Sequence, residues 1–366
     1  MWTLPAGGRE RFRVGATADL VPRIDALRAE LRNPMAIAAG DVPQLQAFVA
    51  DWGAAFIAPL SEQEMPDVLV IVPHGPTHDL PFHLVDVQEQ PLGARVGVSY
   101  ASSRSLFIRS VDRNPARQRE PAQSGAGHRS VMSGGTDIIG GLDDEFEAIC
   151  RLVADRFSGE RTLFLSGKFP YSRTAVKAAV RSSKRPAPSV LCVMAHGWID
   201  DDNHRMSGLL VDRDPMGVSL RAIPLHGGRY FDFRDLPLRR PPARLKAVKE
   251  CEVLTAAELE IDAQIDCELV MLLGCSAGWG RVLQGDEPAS LAETWLKIGA
   301  ASVVAPLWDA PIAAVREWTD AFLHAWTTLN LPKALAHRHA TQQLMQGAFR
   351  EAPERLGVMT LRGDWL

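Results

Sequence analysis

Two short segments carry residue types that suit covalent catalysis, and each directly follows an apolar run: His196-Gly197 and Gly274-Cys275. A cysteine nucleophile needs a nearby group to manage its proton and N–H donors that stabilise the oxyanion. His196 would supply the proton, and the backbone N–H groups of Gly197 and Cys275 would hold the oxyanion. Because neither glycine has a Cβ, substrate backbone could approach closely. The two segments together predict a cysteine–histidine site.

The elements around these segments predict how the two residues meet. Continuous apolar runs alternate with helical patterns from residue 143 onward, which is typical of a parallel sheet covered on both faces. In such sheets ligands bind at the carboxyl ends of the strands. If the strands 189–195 and 268–274 are neighbours, their ends lie about 4.8 Å apart. His196 and Cys275 would then share one crevice, with Asp309 after the strand 301–307.

Composition excludes several classes of function. The net charge of −4 in 366 residues gives no basic field for nucleic acid. Five scattered cysteines form a poor disulfide framework and suit a reducing compartment. The first residues lack an apolar signal core, and no apolar run is long enough to span a bilayer. We therefore expect a cytoplasmic protein with no membrane segment, and frequent arginine and alanine suggest a bacterial genome rich in GC.

Several further motifs are found in order along the chain, and together they resemble the CHAT domain family of caspase-like cysteine peptidases. The resemblance covers roughly residues 66–346. Its motifs are Val70-Ile71-Val72-Pro73-His74-Gly75, Ala101-Ser102-Ser103-Arg104-Ser105-Leu106, Ala195-His196-Gly197, Leu254-Thr255-Ala256-Ala257-Glu258, Leu272-Leu273-Gly274-Cys275-Ser276-Ala277-Gly278 and Gly299-Ala300-Ala301-Ser302-Val303-Val304-Ala305-Pro306-Leu307-Trp308. Gly274 stands where the family usually has alanine. The last two blocks, with Asp309, are also similar to the separases.

The resemblance implies an α/β protein with a caspase-like, mainly parallel sheet flanked by helices on both faces, after a small N-terminal helical lead. It implies a cysteine endopeptidase in which Cys275 attacks the scissile carbonyl and His196 protonates the leaving amine. The oxyanion would bind the N–H groups of Gly197 and Cys275. In separases the aspartate at the position of Asp309 helps to receive a basic side chain, so Asp309 is the candidate for the S1 pocket; the simpler interpretation is a helix cap.

We expect five segments along the chain. They are a helical lead (1–62), the front part of the CHAT domain (63–113), a linker rich in Gly, Ser and Arg (114–141), the peptidase core (142–350) and a C-terminal tail (351–366). No cofactor, metal, nucleic acid or membrane is expected. The partners would be a protein substrate and a separate activating or sensor protein. The Pro/Arg-rich stretch 234–244 is a candidate loop for self-cleavage or for binding a partner.

Other functions compete with this hypothesis. A caspase-like fold can serve as a catalytically silent signalling scaffold. Residues 274–278 also fit the nucleophile elbow of serine α/β-hydrolases, with Ser276 as nucleophile. The partners of that serine would be Asp309 and one of three histidines: His324, His337 or His339.

Some local patterns are weaker still. The spacing of His74, His78 and His83 fits no standard zinc site. The stretch 166–168 lacks the glycine spacing of a phosphate-binding loop. The acidic run 200–202 beside His196 suits a cation, but such a run is more often a solvated turn.

Overall fold

The computed structural model describes residues 2–3, 11–12, 20–61, 65–114, 131–137, 142–157, 162–165, 172–181, 189–198, 200, 203–212, 222–224, 230–232, 251–274, 277–278, 280–283, 287–309, 311–347, 349 and 352–366. Its strands are β1 Trp2–Thr3, β2 Arg11–Phe12, β3 Val68–Ile71, β4 Gly97–Tyr100, β5 Val131–Thr136, β6 Thr162–Leu165, β7 Val190–Ala195, β8 Gly197–Trp198, β9 Gly208–Asp212, β10 Ala222–Pro224, β11 Tyr230–Asp232, β12 Cys251–Thr255, β13 Leu269–Leu272, β14 Gly280–Leu283, β15 Glu287–Ser290, β16 Ser302–Pro306 and β17 Met359–Gly363.

The helices are α1 Leu20–Leu31, α2 Pro34–Ala39, α3 Pro43–Ala47, α4 Ala54–Ser61, α5 Leu92–Arg95, α6 Arg104–Arg113, α7 Asp143–Arg156, α8 Arg173–Arg181, α9 Ala256–Asp262, α10 Leu291–Ile298, α11 Ile312–Leu323, α12 Lys333–Gln346 and α13 Pro353–Leu356. Short π-helical turns cover Phe48–Trp52 and His324–Thr328. In the described part of the chain, no helix is long and apolar enough to cross a lipid bilayer.

One large sheet organises the described residues. Its strands lie in the order β3-β4-β17-β16-β13-β7-β5-β6. All neighbouring strands in it are parallel except β16 and β17, so β3, β4 and β17 run opposite to the other five. The predicted α/β fold with a mainly parallel caspase-like sheet is confirmed.

Side chains of the central strands alternate between two hydrophobic cores, one on each face. In β7, Val190, Cys192 and Met194 lie in one core, and the residues between them lie in the other. The first core packs against α7, α11 and α12, and the second against α9 and α10. Burial on both faces explains why these strands are apolar without interruption.

The N-terminal helices pack onto the main core. Apolar residues recur at steps of three and four within 18–32, which predicts a helix there, and α1 buries Ile24, Leu27 and Leu31 in the same core as β4. The sequence also predicts one helix over 42–60, where the structure has α3, a π-helical turn and α4.

Strands also occur where the sequence shows no regular pattern. Residues 199–244 are predicted to be irregular, but they include β9, which pairs antiparallel with β12 about forty residues later. Such non-local pairing leaves no local signal. The predicted tail 351–366 contains β17, which lies inside the sheet between β16 and β4. The stretch 234–244 lies outside the described residues.

Candidate functional site

The carboxyl ends of four adjacent strands meet at one edge of the sheet. In the order β16-β13-β7-β5, the residues that follow these strands include Asp309, Gly274, His196 and Asp137. Parallel pairing between β16, β13, β7 and β5 brings these four segments to the same edge. His196, Gly274 and Asp309 therefore lie at the carboxyl ends of neighbouring strands, the position where open α/β sheets bind ligands.

His196 is held by a buried carboxylate. Its Nε2 lies 2.8 Å from Oδ1 of Asp137, which is the residue after β5. Asp137 is 1% exposed, and its Oδ2 accepts a hydrogen bond of 2.6 Å from the Leu142 N–H just before α7. The backbone of His196 is fixed as well, because its carbonyl accepts from the Leu210 N–H of β9.

These contacts assign different roles to the two ring nitrogens of His196. A carboxylate oxygen accepts, so Nε2 carries the hydrogen in the neutral ring and Nδ1 keeps a lone pair. The ring of Phe146 in α7 lies against the imidazole, with 5.3 Å between centroids. The side chain of His196 is 14% exposed, so solvent and substrate can reach it. The arrangement suits a histidine that receives and returns a proton through Nδ1.

Gly274 lies where β13 and β7 approach most closely. A Cβ at this position would overlap the carbonyl oxygen of Ala195, the residue before His196. Leu273 continues the ladder by donating its N–H to Val193. The absence of a side chain at Gly274 is therefore a requirement of this sheet.

The other predicted site residues are placed as follows. Cys275 and Ser276 lie outside the described residues. Gly197 opens β8 and is half-buried. Asp309 is also half-buried, and the residue at the N-cap position of α11 is Pro311.

Sequence reasoning missed Asp137. The residue lies in the stretch 114–141, which was interpreted as a linker because it is rich in Gly, Ser and Arg. A signal is nevertheless present, since the pattern near residues 130–133 predicts a short strand inside this linker, and Asp137 is the first carboxylate after it. A polar residue at the carboxyl end of a buried strand is the same pattern that identified His196.

The three cysteines with described side chains are unsuited to nucleophilic chemistry. Cys150, Cys192 and Cys267 are free thiols and fully buried. A hydrogen bond with Cys192, together with burial, raises the pKa of the Cys150 thiol well above its ordinary range. Burial raises the pKa of Cys267 to about 12. Neither Cys150 nor Cys267 forms a thiolate readily at neutral pH.

The histidines considered as alternatives have other contacts. His83 is buried, with Nδ1 2.8 Å from the Tyr100 hydroxyl and Nε2 2.8 Å from the Gly357 carbonyl oxygen. His337 is buried too, and its Nε2 lies 3.0 Å from the carbonyl oxygen of Met359 in β17. The rings of His324 and His339 lie near each other, 6.5 Å apart. The serine-hydrolase alternative needs His324, His337 or His339 beside Ser276, and these contacts give it no support.

No metal site emerges from the described part of the chain. Within it, no three His, Cys, Asp or Glu side chains are grouped so that they could hold an ion. Of the acidic run 200–202, Asp200 is described, and its Oδ1 accepts a hydrogen bond from the Asn203 N–H. Residues 166–168, the weak phosphate-loop pattern, lie outside the described residues.

Comparison with known proteins gives one family. The family model of the CHAT domain matches residues 47–355. No curated protein matches the chain.

Among solved structures, one titled "Structure of Protease" shares the fold with a TM-score of 0.52 at 14% identity, over 88% of this chain and 68% of that one. The separase–securin complex of Saccharomyces cerevisiae gives a TM-score of 0.47 at 13% identity, over 78% of this chain. The complex of pro- and mature domains of RgpB from Porphyromonas gingivalis gives 0.45 at 11% identity, over 95% of this chain and 76% of that one. The chain spans 14% of the length of the separase chain.

Proposed function

The chain belongs to the CHAT domain family, a family of caspase-like cysteine peptidases, and we propose that it is a cysteine endopeptidase that acts through Cys275 and His196. The observation that carries the proposal is the contact between buried Asp137 and half-buried His196 at the end of β7. A signalling scaffold does not require a solvent-accessible histidine whose tautomer is fixed by a buried carboxylate.

The register of the sheet supports the pairing of Cys275 with His196. The ladder pairs Leu272 with Val193, and Gly274 lies against Ala195. Cys275 and His196 are the next residues along the chain after these two positions. Adjacent strands are about 4.8 Å apart, a spacing that brings a cysteine and a histidine side chain into contact.

The proposed reaction has two steps. The Cys275 thiolate attacks the scissile carbonyl carbon, the C–N bond breaks, and Nδ1–H of the His196 imidazolium gives its proton to the leaving amine. Water then attacks the thioester, His196 Nδ1 takes one proton from that water, and the C–S bond breaks to release the acid and the thiolate. Asp137 stabilises the imidazolium through Nε2–H, and the N–H groups of Gly197 and Cys275 stabilise the oxyanion in both steps.

Asp309 is proposed as the carboxylate of the S1 pocket. It follows β16, two strands from His196, at the same carboxyl end of the sheet. A carboxylate there would pair with an arginine side chain through two hydrogen bonds. We expect Asp309→Ala to lower kcat/KM for peptides with arginine before the cleaved bond, while peptides with alanine there are unaffected. Equal effects on both peptides would exclude this role.

Activity is proposed to depend on a separate activating or sensor protein, since such peptidases are commonly inactive until loops around the crevice are rearranged. The stretch 234–244 is the proposed site of self-cleavage or partner binding. Cleavage in native cells but not by the purified chain would support an activator. Equal rates in both would exclude it.

The decisive experiment maps new protein N-termini in cells that produce the wild-type chain, Cys275→Ala or Ser276→Ala. We expect a set of cleavage sites that is lost in Cys275→Ala and retained in Ser276→Ala. A thiol-directed probe and a fluorophosphonate probe, applied to the same three chains, identify the nucleophile independently. Identical N-termini in the wild type and Cys275→Ala would overturn the proposal and favour the scaffold. Fluorophosphonate labelling lost in Ser276→Ala would favour the hydrolase.

A further inference from the structure

A buried ion pair, Arg362 with Glu293, contacts the backbone three residues after the predicted nucleophile through a hydrogen bond from Arg362. Arg362 of β17 donates from Nη2 to the Gly278 carbonyl oxygen at 2.9 Å and from Nη1 to Oε1 of Glu293 at 3.1 Å. The side chains of Arg362 and Glu293 are 5% and 2% exposed. Buried charges are costly unless they are paired and hydrogen-bonded, so an arginine placed on a loop carbonyl needs an explanation.

The network continues in both directions. Oε2 of Glu293 accepts a hydrogen bond from the Ser102 hydroxyl, in the segment after β4. On the other side, the carboxyl group of Asp79 accepts a hydrogen bond from the Gly280 backbone. Burial raises the pKa of Asp79, and the nearby charges of Arg28 and Arg362 oppose that rise. Asp79 also pairs with Nη2 of Arg28 in α1, at 3.4 Å. Positive and negative groups therefore alternate from α1 to α10.

The same loop is held by two backbone contacts. The Gly278 N–H donates to the Pro306 carbonyl oxygen at the end of β16, and the Ala277 carbonyl oxygen accepts from the Ala292 N–H at the start of α10. Described backbone atoms at positions 277, 278 and 280 are thus all bonded to buried partners. Cys275 lies two residues before the first of them, so a shift of this backbone would move the chain that carries the nucleophile.

We infer that Arg362, Glu293 and Asp79 are positioning residues that fix the chain following Cys275 and connect it to helix α1. The inference rests on the proposed function, because it takes Cys275 as the reacting residue. All three side chains are buried. Their effect would pass through the backbone of Gly278 and Gly280, and it would therefore appear in the reactivity of Cys275 and in kcat rather than in substrate binding.

The first test compares Arg362→Met with Arg156→Met in the purified full chain, under conditions in which the wild type is active. Arg156 is the matched control, because it forms an ion pair with Asp320 at the surface. A small misplacement of a reacting group costs about 100-fold, so kcat should fall about 100-fold in Arg362→Met with KM within about threefold. Arg362→Lys should recover only part of this loss, since one ammonium cannot reproduce the two-pronged contact. Arg156→Met should match the wild type.

The second test does not require turnover. The rate at which iodoacetamide alkylates Cys275 is measured by peptide mass spectrometry from pH 5 to 9, with buried Cys267 as the reference for global opening. Displacing Cys275 from His196 removes a neighbour that favours the thiolate, so we expect Arg362→Met to slow alkylation at neutral pH about tenfold. His196→Ala tests the proposed function separately: if its alkylation rate equals that of the wild type, Cys275 and His196 are not partners.

Several outcomes would overturn the inference. A folded Arg362→Met chain with wild-type kcat and wild-type alkylation would do so. If Arg362→Met does not fold, Asp79→Asn and Glu293→Gln replace it, because each removes one charge with little change in size. Wild-type kcat and alkylation in both would be equally decisive. Arg28→Met should lower kcat about twofold to threefold, and no change there would remove helix α1 from the network.

Discussion

Histidines occupy two contrasting regions of this molecule. At the edge of the sheet, His196 is half-buried and its ring is bonded to the carboxylate of Asp137. In the interior, His83 and His337 form a buried cluster with Tyr100, in which the His83 and His337 rings are 5.9 Å apart. The residue type is the same, but the partners are a carboxylate in one region and neutral oxygens in the other.

The partners in the buried cluster fix neutral rings. Nε2 of His83 donates to the Gly357 carbonyl oxygen, so Nδ1 accepts from the Tyr100 hydroxyl. The same hydroxyl oxygen accepts a hydrogen bond from the backbone N–H of His83. Burial lowers the pKa of His83 to about 3 and that of His337 to about 4. A carboxylate partner and some solvent access favour a histidine that can exchange protons. Neutral partners and full burial instead keep the ring neutral, so that it serves only to fill and hydrogen-bond the core.

The largest expected effect comes from removing the edge histidine. His196→Ala should lower kcat about 1000-fold, because both the proton donor and its oriented nitrogen are lost. Its thermal stability should stay near that of the wild type. Peptidase kinetics and a thermal melt check both expectations. Comparable kcat in His196→Ala and the wild type would erase the distinction between the two regions.

A smaller loss is expected from Asp137→Asn. The amide N–H₂ can donate to Nε2, which moves the hydrogen to Nδ1 and leaves the wrong nitrogen as acceptor, so kcat should fall about 100-fold. The pH profile of kcat/KM should change shape as well, and both are measured by steady-state kinetics. Asp320→Asn at the surface is the control. An unaltered pH profile in Asp137→Asn would mean that the carboxylate only packs.

Gly274→Ala tests how closely β13 and β7 approach each other at the carboxyl end of the sheet, beside His196. Its Cβ would overlap the Ala195 carbonyl oxygen, and such overpacking should lower the free energy of unfolding by about 3 kcal/mol. Urea unfolding measures this. Gly347→Ala, where the nearest atoms lie at 3.6 Å, should change stability by less than about 0.5 kcal/mol. Equal stabilities of the two variants would contradict the close approach of β13 and β7.

The smallest effect concerns the pH dependence of stability. The unfolded chain binds a proton at His337 below pH about 6.5, whereas the folded chain does so only below about 4. Stability contributed by neutral His337 is therefore full above pH 6.5 and is lost as the pH falls toward 4. The loss between pH 7 and pH 5 should be about 2 kcal/mol smaller in His337→Phe than in the wild type.

Urea unfolding at the two pH values measures that difference. The kcat of His337→Phe at pH 7 should equal that of the wild type. A large loss of activity without a change in the pH dependence would place His337 in the site and not in the core.

Much of the fold was predictable because its strands bury both faces. The strands ending at Ala195 and Leu272 are continuous apolar runs that end in His196-Gly197 and Gly274-Cys275, so their type, order and shared edge follow from local patterns. Thr255 followed three residues later by Glu258 is the pattern of a capping box, which predicts a helix start there, and α9 begins at that point with both capping contacts present. These features depend on neighbours in the chain.

The remaining features depend on contacts between distant residues. Strand β17 lies inside the sheet because it pairs with β16, a partner more than fifty residues earlier, and because Met359 and Leu361 join the first core. The ionic network joins Arg28, Asp79, Glu293 and Arg362 across almost the whole chain. The local sequence pattern does not predict such pairings, since each of these residues taken alone is typical of an exposed charged position.

Apolar periodicity and motif order are local properties, and they were enough to predict the fold class, the family and the residues of the candidate site. The contact of Asp137 with His196, and the burial of His83 and His337 among other partners, depend instead on long-range packing. Fifty-nine residues separate Asp137 from His196 along the chain. Their contact exists because β5 and β7 are adjacent in the sheet, and the burial that lowers the pKa of the other two histidines comes from elements packed around them.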